Sequence, residues 1–177
     1  MNMSKRIHRL VLSGVIAALY VALTLVQEMI FPTSATMAVQ FRVSEALTVL
    51  SLFTPAAIPG LTVGCFIANF SVLGALPTDI VLGSLASFLA CLFMYRLRNF
   101  TVKGFPFLSL LMPALFNGII IGAEIEIFFI EGPFNFVSFL IQAGLVALGE
   151  LGVLYTLGAA LVRVIKDKKL GRYLNGV

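Results

Sequence analysis

Glu124 and Glu126 stand in the stretch IIIGAEIEIFF, which carries no other charge. A charged side chain at mid-bilayer costs roughly 2.5–3.5 kcal/mol on insertion scales, so an acid kept in such a run faces a partner or a watery cavity. Asn117 lies seven positions before Glu124 and shares its helical face, whereas Glu126 is turned roughly the other way. The next apolar run carries Gln142 and Glu150. If the two runs are antiparallel neighbours, Asn117 and Glu150 lie about 13 and about 14 residues below the outer end, and Glu124 and Gln142 about 6 below it, at about 1.5 Å each. The spacing predicts two rungs, Asn117 with Glu150 near the midplane and Glu124 with Gln142 one layer higher. Either the rungs line a pocket open to the outside, or they are interhelical hydrogen bonds with no ligand. Glu126 is expected to reach the surface or pair elsewhere.

Other polar residues join at the outer level: Asn69, Glu45 and Arg42. Asp79, following Pro77 and Thr78, reads as a helix-start cap rather than a ligand. Several carboxylates and amides around one arginine suit a ligand rich in N–H donors or carrying a cation. A ring amide with an exocyclic amine, as in guanine, offers adjacent donors that one carboxylate accepts side by side. Phe128, Phe134, Phe136 and Phe139 are available as stacking faces, although packing or lipid contact is the ordinary role of each.

The remaining chemistry is sparse. Cys65 and Cys91 sit in apolar segments without a spacing motif and read as small packing residues. The single histidine, His8, lies in a basic leader, so no metal or cofactor is expected. No nucleophile–base pair can be assembled, which argues against a membrane enzyme such as a transferase.

The elements that position these groups must be membrane spans. The chain has 177 residues, 60% hydrophobic and 11% charged, with no Trp, and a mean hydropathy of +1.06. Soluble domains are about a quarter charged. The apolar runs predict one all-α membrane domain over residues 1–177 with six spans, at about 10–31, 45–58, 61–75, 79–97, 106–130 and 136–162. The first run is too long for a signal-peptide core and has no small-residue cleavage site, so it is read as retained. The second and third are short and joined by TPAAIPG, where Pro55, Pro59 and Gly60 are expected to force a tight re-entry; one re-entrant unit is the alternative.

Basic residues cluster at Lys5, Arg6 and Arg9, at Arg96, Arg98 and Lys103, and from Arg163 to Arg172. The positive-inside rule puts all three clusters, and both termini, in the cytoplasm of a multi-pass cell-membrane protein. The net charge of +4 thus belongs to membrane edges and not to nucleic-acid binding. No stretch reads as a soluble domain or a nucleotide-binding loop, so energy must come from an ion gradient or a partner. In MAVQFRVSE, Val39, Phe41 and Val43 alternate with Gln40, Arg42 and Ser44, a strand-like period of two that predicts either a surface loop or a lid presenting Arg42. In the first span Gly14, Ala18 and Ala22 recur every four residues, a stripe suited to close helix approach, within the bundle or against a partner.

Five blocks, VQFRVSEALTVL, TPAAIPGLTVGC with the following IAN, TDIVLGSLA, PALFNGIIIGAEIEI and ALGELGVLYTLG, together resemble the QueT family, substrate-binding S components of energy-coupling-factor (ECF) transporters, over about residues 10–163. The resemblance implies a six-helix S component without ATPase activity, working with a transmembrane coupling protein (EcfT-like) and two ATP-binding-cassette ATPases. It implies import of a queuosine precursor, a 7-deazaguanine such as 7-aminomethyl-7-deazaguanine or queuine. It further implies that the Ala18 and Ala22 surface, extended by Gly14, docks on the coupling protein, and that the loop containing AVQFRVSE closes over substrate. Glu124 or Glu150 would then accept the ring donors, Asn117 or Gln142 would serve the ring carbonyl or ring N–H, and Glu45 or Glu126 would neutralise a side-chain ammonium. Arg42 would pair with Glu45 on closure. The competing hypothesis is a self-sufficient proton-coupled carrier of a small nitrogen-rich or vitamin-like solute, with Glu124 and Glu150 as relay acids.

Overall fold

Runs of Leu, Ile, Val, Phe and Ala interrupted by few helix breakers wind into helices, and the breaks between them fall at Pro, Gly and Asn. The computed structural model describes residues 3–31, 41–72 and 76–174. In chain order the elements are α1 (Met3–Ile30), a 3-10 helix (Val43–Leu52), α2 (Ala57–Ser71), α3 (Pro77–Leu97), α4 (Phe107–Phe128), α5 (Phe136–Val153), a π-helical turn (Leu154–Gly158), α6 (Ala159–Asp167) and a last turn, α7 (Gly171–Leu174). The π-turn does not interrupt the rod, which runs from Phe136 to Asp167. Among the described residues there is no strand, only an isolated bridge between Val102 and Phe105.

Four helices are long and apolar enough to cross a membrane: Met3–Ile30, Pro77–Leu97, Phe107–Phe128 and Phe136–Asp167. The expected second and third spans correspond to the 3-10 helix and α2. Their 10 and 15 residues extend about 20 Å and about 22 Å, less than the about 30 Å hydrocarbon core. The break between them also differs from the expected one. It falls at Phe53–Ala56, where Phe53 N and Thr54 N both donate to Leu50 O and Ser13 Oγ of α1 donates to Ala56 O at 2.8 Å. Pro59 and Gly60 lie inside the first turn of α2, where a missing N–H leaves no helical bond unmade.

The 3-10 winding was not expected, and it has a physical reading. Glu45, Thr48 and Ser51 recur every third residue, with Arg42 and Thr54 just outside the two ends. At three residues per turn they stack in one column, and Glu45, Thr48, Ser51 and Thr54 are all buried. An α-helix would fan the same residues round its axis. The expected strand-like alternation therefore ends at Arg42, because Val43 and Ser44 are already helical; residues 37–40 of that stretch lie outside the described residues.

Small residues set the packing. A Cβ on Gly64 would stand 2.9 Å from Tyr20 Cβ, and one on Gly60 would meet Ser13, so α2 lies on α1 through a Gly-xxx-Gly stripe, running parallel to it. The 3-10 helix between them returns in the opposite sense, as Thr24 Oγ1 donates to Ser44 Oγ (2.8 Å) and Tyr20 OH to Glu45 Oε1 (2.5 Å). A second stripe, Gly118 and Gly122, seats α4 on α5: a Cβ on Gly122 would come within 2.6 Å of Ala143 Cα. Cys65 and Cys91 are free thiols packed with Ile16, Tyr20 and Leu61, the packing role expected of them.

Successive rods reverse direction, and this gathers the three basic clusters at one end. There His8 Nε2 donates to Tyr173 O (3.1 Å) and Lys166 Nζ to Gly104 O (2.9 Å), tying the leader, the α3–α4 connection and the C-terminal segment together. At the far end Glu126 accepts from Asn135 N (2.9 Å) and Ser138 Oγ (2.5 Å), fastening the start of α5.

Candidate functional site

Four of the side chains expected to do chemistry, Arg42, Glu45, Asn117 and Glu150, converge where the 3-10 helix, α3, α4 and α5 meet. Arg42, Glu45, Gly83, Ser87, Asn117, Ile121 and Glu150 line an internal cavity of about 10 Å³, room for about one water. Glu45 and Glu150 are 1% and 2% exposed. In a closed bundle such groups cost free energy unless hydrogen-bonded.

Only half of that bonding is present. Asn117 Nδ2 donates to Glu150 Oε1 at 2.9 Å, the expected midplane rung. Tyr20 OH donates to Glu45 Oε1 at 2.5 Å. The second oxygen of each acid, Glu150 Oε2 and Glu45 Oε2, is buried without a partner. Each such atom is disfavoured by about 1–3 kcal/mol, a cost that a bound water, ion or ligand donor would relieve.

Arg42 enters the cavity from the start of the 3-10 helix and donates from Nη1 to Asn69 Oδ1 (3.0 Å). Asn69 donates in turn to Asp79 O (2.9 Å) and, weakly, to Cys65 Sγ (3.7 Å). Its amide is thus occupied in joining α2, α3 and Arg42, and it holds the arginine in place. Gly83 makes room for this strut: a Cβ there would stand 2.6 Å from Asn69 Nδ2.

The upper rung is different. Glu124 is 1% exposed, yet neither of its oxygens has a partner, and the same holds for Gln142 Oε1 and Thr78 Oγ1. The expected Glu124–Gln142 hydrogen bond is not made. Thr78 and Asp79 stand close enough to act on the Glu124 carboxyl side chain to side chain, though neither reaches full hydrogen-bond geometry, and Arg42 lies within electrostatic reach. Asp79 Oδ2 accepts from Leu76 N at 2.7 Å, the helix-start cap read from the sequence.

Two sets of candidates fall outside the cavity. Glu126 has both oxygens engaged at the start of α5 and is not part of it. Phe134 and Phe136 are exposed and pair with Phe139, at centroid distances of 6.0 and 5.9 Å, while Phe128 is also exposed; none lines the cavity. Sequence reasoning missed Tyr20, the donor to Glu45, and Ser87. Tyr20 was signalled by being the one ring hydroxyl inside the first apolar run; Ser87 had no signal beyond its apolar setting.

On α1 the opposite face is free of such groups. Gly14, Ala18 and Ala22 are all exposed, and nothing stands within 4 Å of a Cβ placed on Gly14. Ile16, Ala17, Tyr20, Thr24 and Gln27 are the buried ones. The small-residue stripe therefore does not pack within the bundle.

The sequence model of a family described as QueT transporter matches residues 10–167. No curated protein and no solved structure matches the chain.

Proposed function

The chain belongs to the QueT transporter family, and from that premise we propose that it is the substrate-binding component of an ECF-type importer, capturing a queuosine precursor from outside the cell. The ligand is a 7-deazaguanine, and delivery requires a transmembrane coupling protein and two ATP-binding-cassette ATPases. In this reading the basic end faces the cytoplasm, as the positive-inside rule requires, and all six helical rods count as crossings.

The observation that carries the proposal is the half-satisfied pair of acids around the cavity, Glu45 and Glu150, with Asn117 and Arg42 between them. A deazaguanine ring presents adjacent N–H donors on one edge and a carbonyl acceptor beside them. Glu150 Oε2 and Glu45 Oε2 accept from the donors, and Arg42 donates to the carbonyl, so the site complements that edge of the ring in kind. At about 10 Å³ the cavity is far smaller than a bicyclic ring, so binding must part the helices that close it. The exposed Gly14, Ala18 and Ala22 face is assigned to the coupling protein, which would approach α1 closely there.

The test is calorimetry of the purified chain with guanine, 7-aminomethyl-7-deazaguanine, queuine, riboflavin and thiamine. Binding restricted to the purine-like ligands supports the assignment, and tight binding of a vitamin instead overturns it. Uptake into vesicles separates the mechanisms. An S component gives sustained uptake only with coupling protein and ATPases, whereas uptake by the chain alone, abolished by dissipating the proton gradient, would establish the self-sufficient carrier.

A further inference from the structure

One layer from the cavity toward the far end stands a set of acceptors that the ring does not use. Glu124 follows the cavity-lining Ile121 by three residues on α4, and both of its oxygens are buried without a partner. Asp79, in the first turn of α3, lies within electrostatic reach of Glu124. Beside Glu124 stands the hydroxyl of Thr78, whose Oγ1 makes no hydrogen bond elsewhere.

A hydroxyl carries a single proton, so no rotation of Thr78 can satisfy both oxygens of Glu124. What the layer lacks is donors and positive charge together. A nitrile or carbonyl placed here would set lone pairs against lone pairs. A primary or secondary ammonium brings two or three N–H donors and the charge that lets two neighbouring carboxylates stay buried.

The geometry points to an ammonium subsite: we propose that Glu124, with Asp79 beside it, binds a protonated amine carried on an arm of the ligand whose ring occupies the cavity at Asn117 and Glu150. The proposal rests on the reading of that cavity as a deazaguanine site. It reassigns the ammonium partner from Glu45, which Tyr20 already engages, and from Glu126, which is committed to α5. Seven residues, about 10 Å of helix rise, separate Asn117 from Glu124, a span suited to a bicyclic ring bearing a short arm.

The experiment compares 7-aminomethyl-7-deazaguanine with 7-cyano-7-deazaguanine, which keeps the ring and replaces the ammonium by a neutral acceptor. Calorimetry on the full chain should show the aminomethyl ligand binding at least about tenfold more tightly, the scale of one charge-assisted hydrogen bond. Glu124→Gln should erase most of that preference, by weakening the aminomethyl ligand and by holding or raising cyano affinity, since the amide replaces a repelling carboxylate oxygen with an N–H donor that a nitrile can accept from. Retained cyano binding also reports that the variant is folded; should Glu124→Gln fail to fold, Asp79→Asn, expected to reduce the preference, replaces it. Equal affinity for the two ligands, or equal loss of both in Glu124→Gln, overturns the subsite and leaves the ring site standing. Failure of the unsubstituted chain to bind either deazaguanine overturns the ring site on which it rests.

Discussion

Asn117 Nδ2 and Glu150 Oε1 stand 2.9 Å apart, joining α4 to α5 while leaving Glu150 Oε2 without a donor. One contact thus serves both cohesion and availability. Glu150→Gln can keep the bond, because an amide oxygen still accepts from Asn117, but it removes the charge from the second position. Thermal unfolding in detergent should change little, and deazaguanine affinity measured by calorimetry should fall by about 1–3 kcal/mol. Asn117→Ala should instead lower stability by a similar amount, by stranding a buried carboxylate. If Glu150→Gln bound as tightly as the parent, the acid would not belong to the ligand.

The two Gly-xxx-Gly stripes make a prediction about packing alone. Gly122→Ala drives a methyl into Ala143, whose Cα would be 2.6 Å away; the obstruction is backbone, so a loss of about 1–3 kcal/mol is expected. Gly14→Ala meets nothing within 4 Å and should be neutral or stabilising by up to about 1 kcal/mol. Melting temperatures of the two variants, measured side by side, decide the matter.

On the outer face of α1, Ala18→Arg should leave ligand affinity unchanged and stop uptake in vesicles containing coupling protein and ATPases. Such a result needs both assays on the same preparation. Normal uptake would remove this face from the docking surface.

Glu126 and Glu124 are two residues apart and should behave as unrelated. Glu126→Gln replaces one acceptor oxygen by a donor, weakening the fastening to Asn135 N and Ser138 Oγ by about 1 kcal/mol. Ligand affinity should be unaffected. A loss of binding on the scale of Glu150→Gln would place Glu126 in the site after all.

How much of this was legible in the sequence can be judged from three places. The Asn117–Glu150 rung was readable because antiparallel helices of equal rise make depth a matter of counting. The same counting gave Glu124 and Gln142 equal depth but not contact, since depth along an axis says nothing about rotation around it. The Gly60–Gly64 and Gly118–Gly122 stripes were present in the letters and mark the tightest helix contacts. Attention to Gly14, Ala18 and Ala22 was attention to the stripe that stays outside. The 3-10 helix escaped because an apolar run of ten residues looks the same at either pitch, yet the every-third-residue row from Arg42 to Thr54 was its signature.

That winding also ties the size of the chamber to the length of a strut. Ten residues at about 2.0 Å each reach some 5 Å farther than the same ten at about 1.5 Å. The lower end is pinned, with Val49 against Gly158, so the same residues wound as a wider, shorter α-helix would hold Arg42 and Glu45 farther back and swing the polar row by about 20° per residue. Helical pitch here sets how far Arg42 and Glu45 reach toward the chamber.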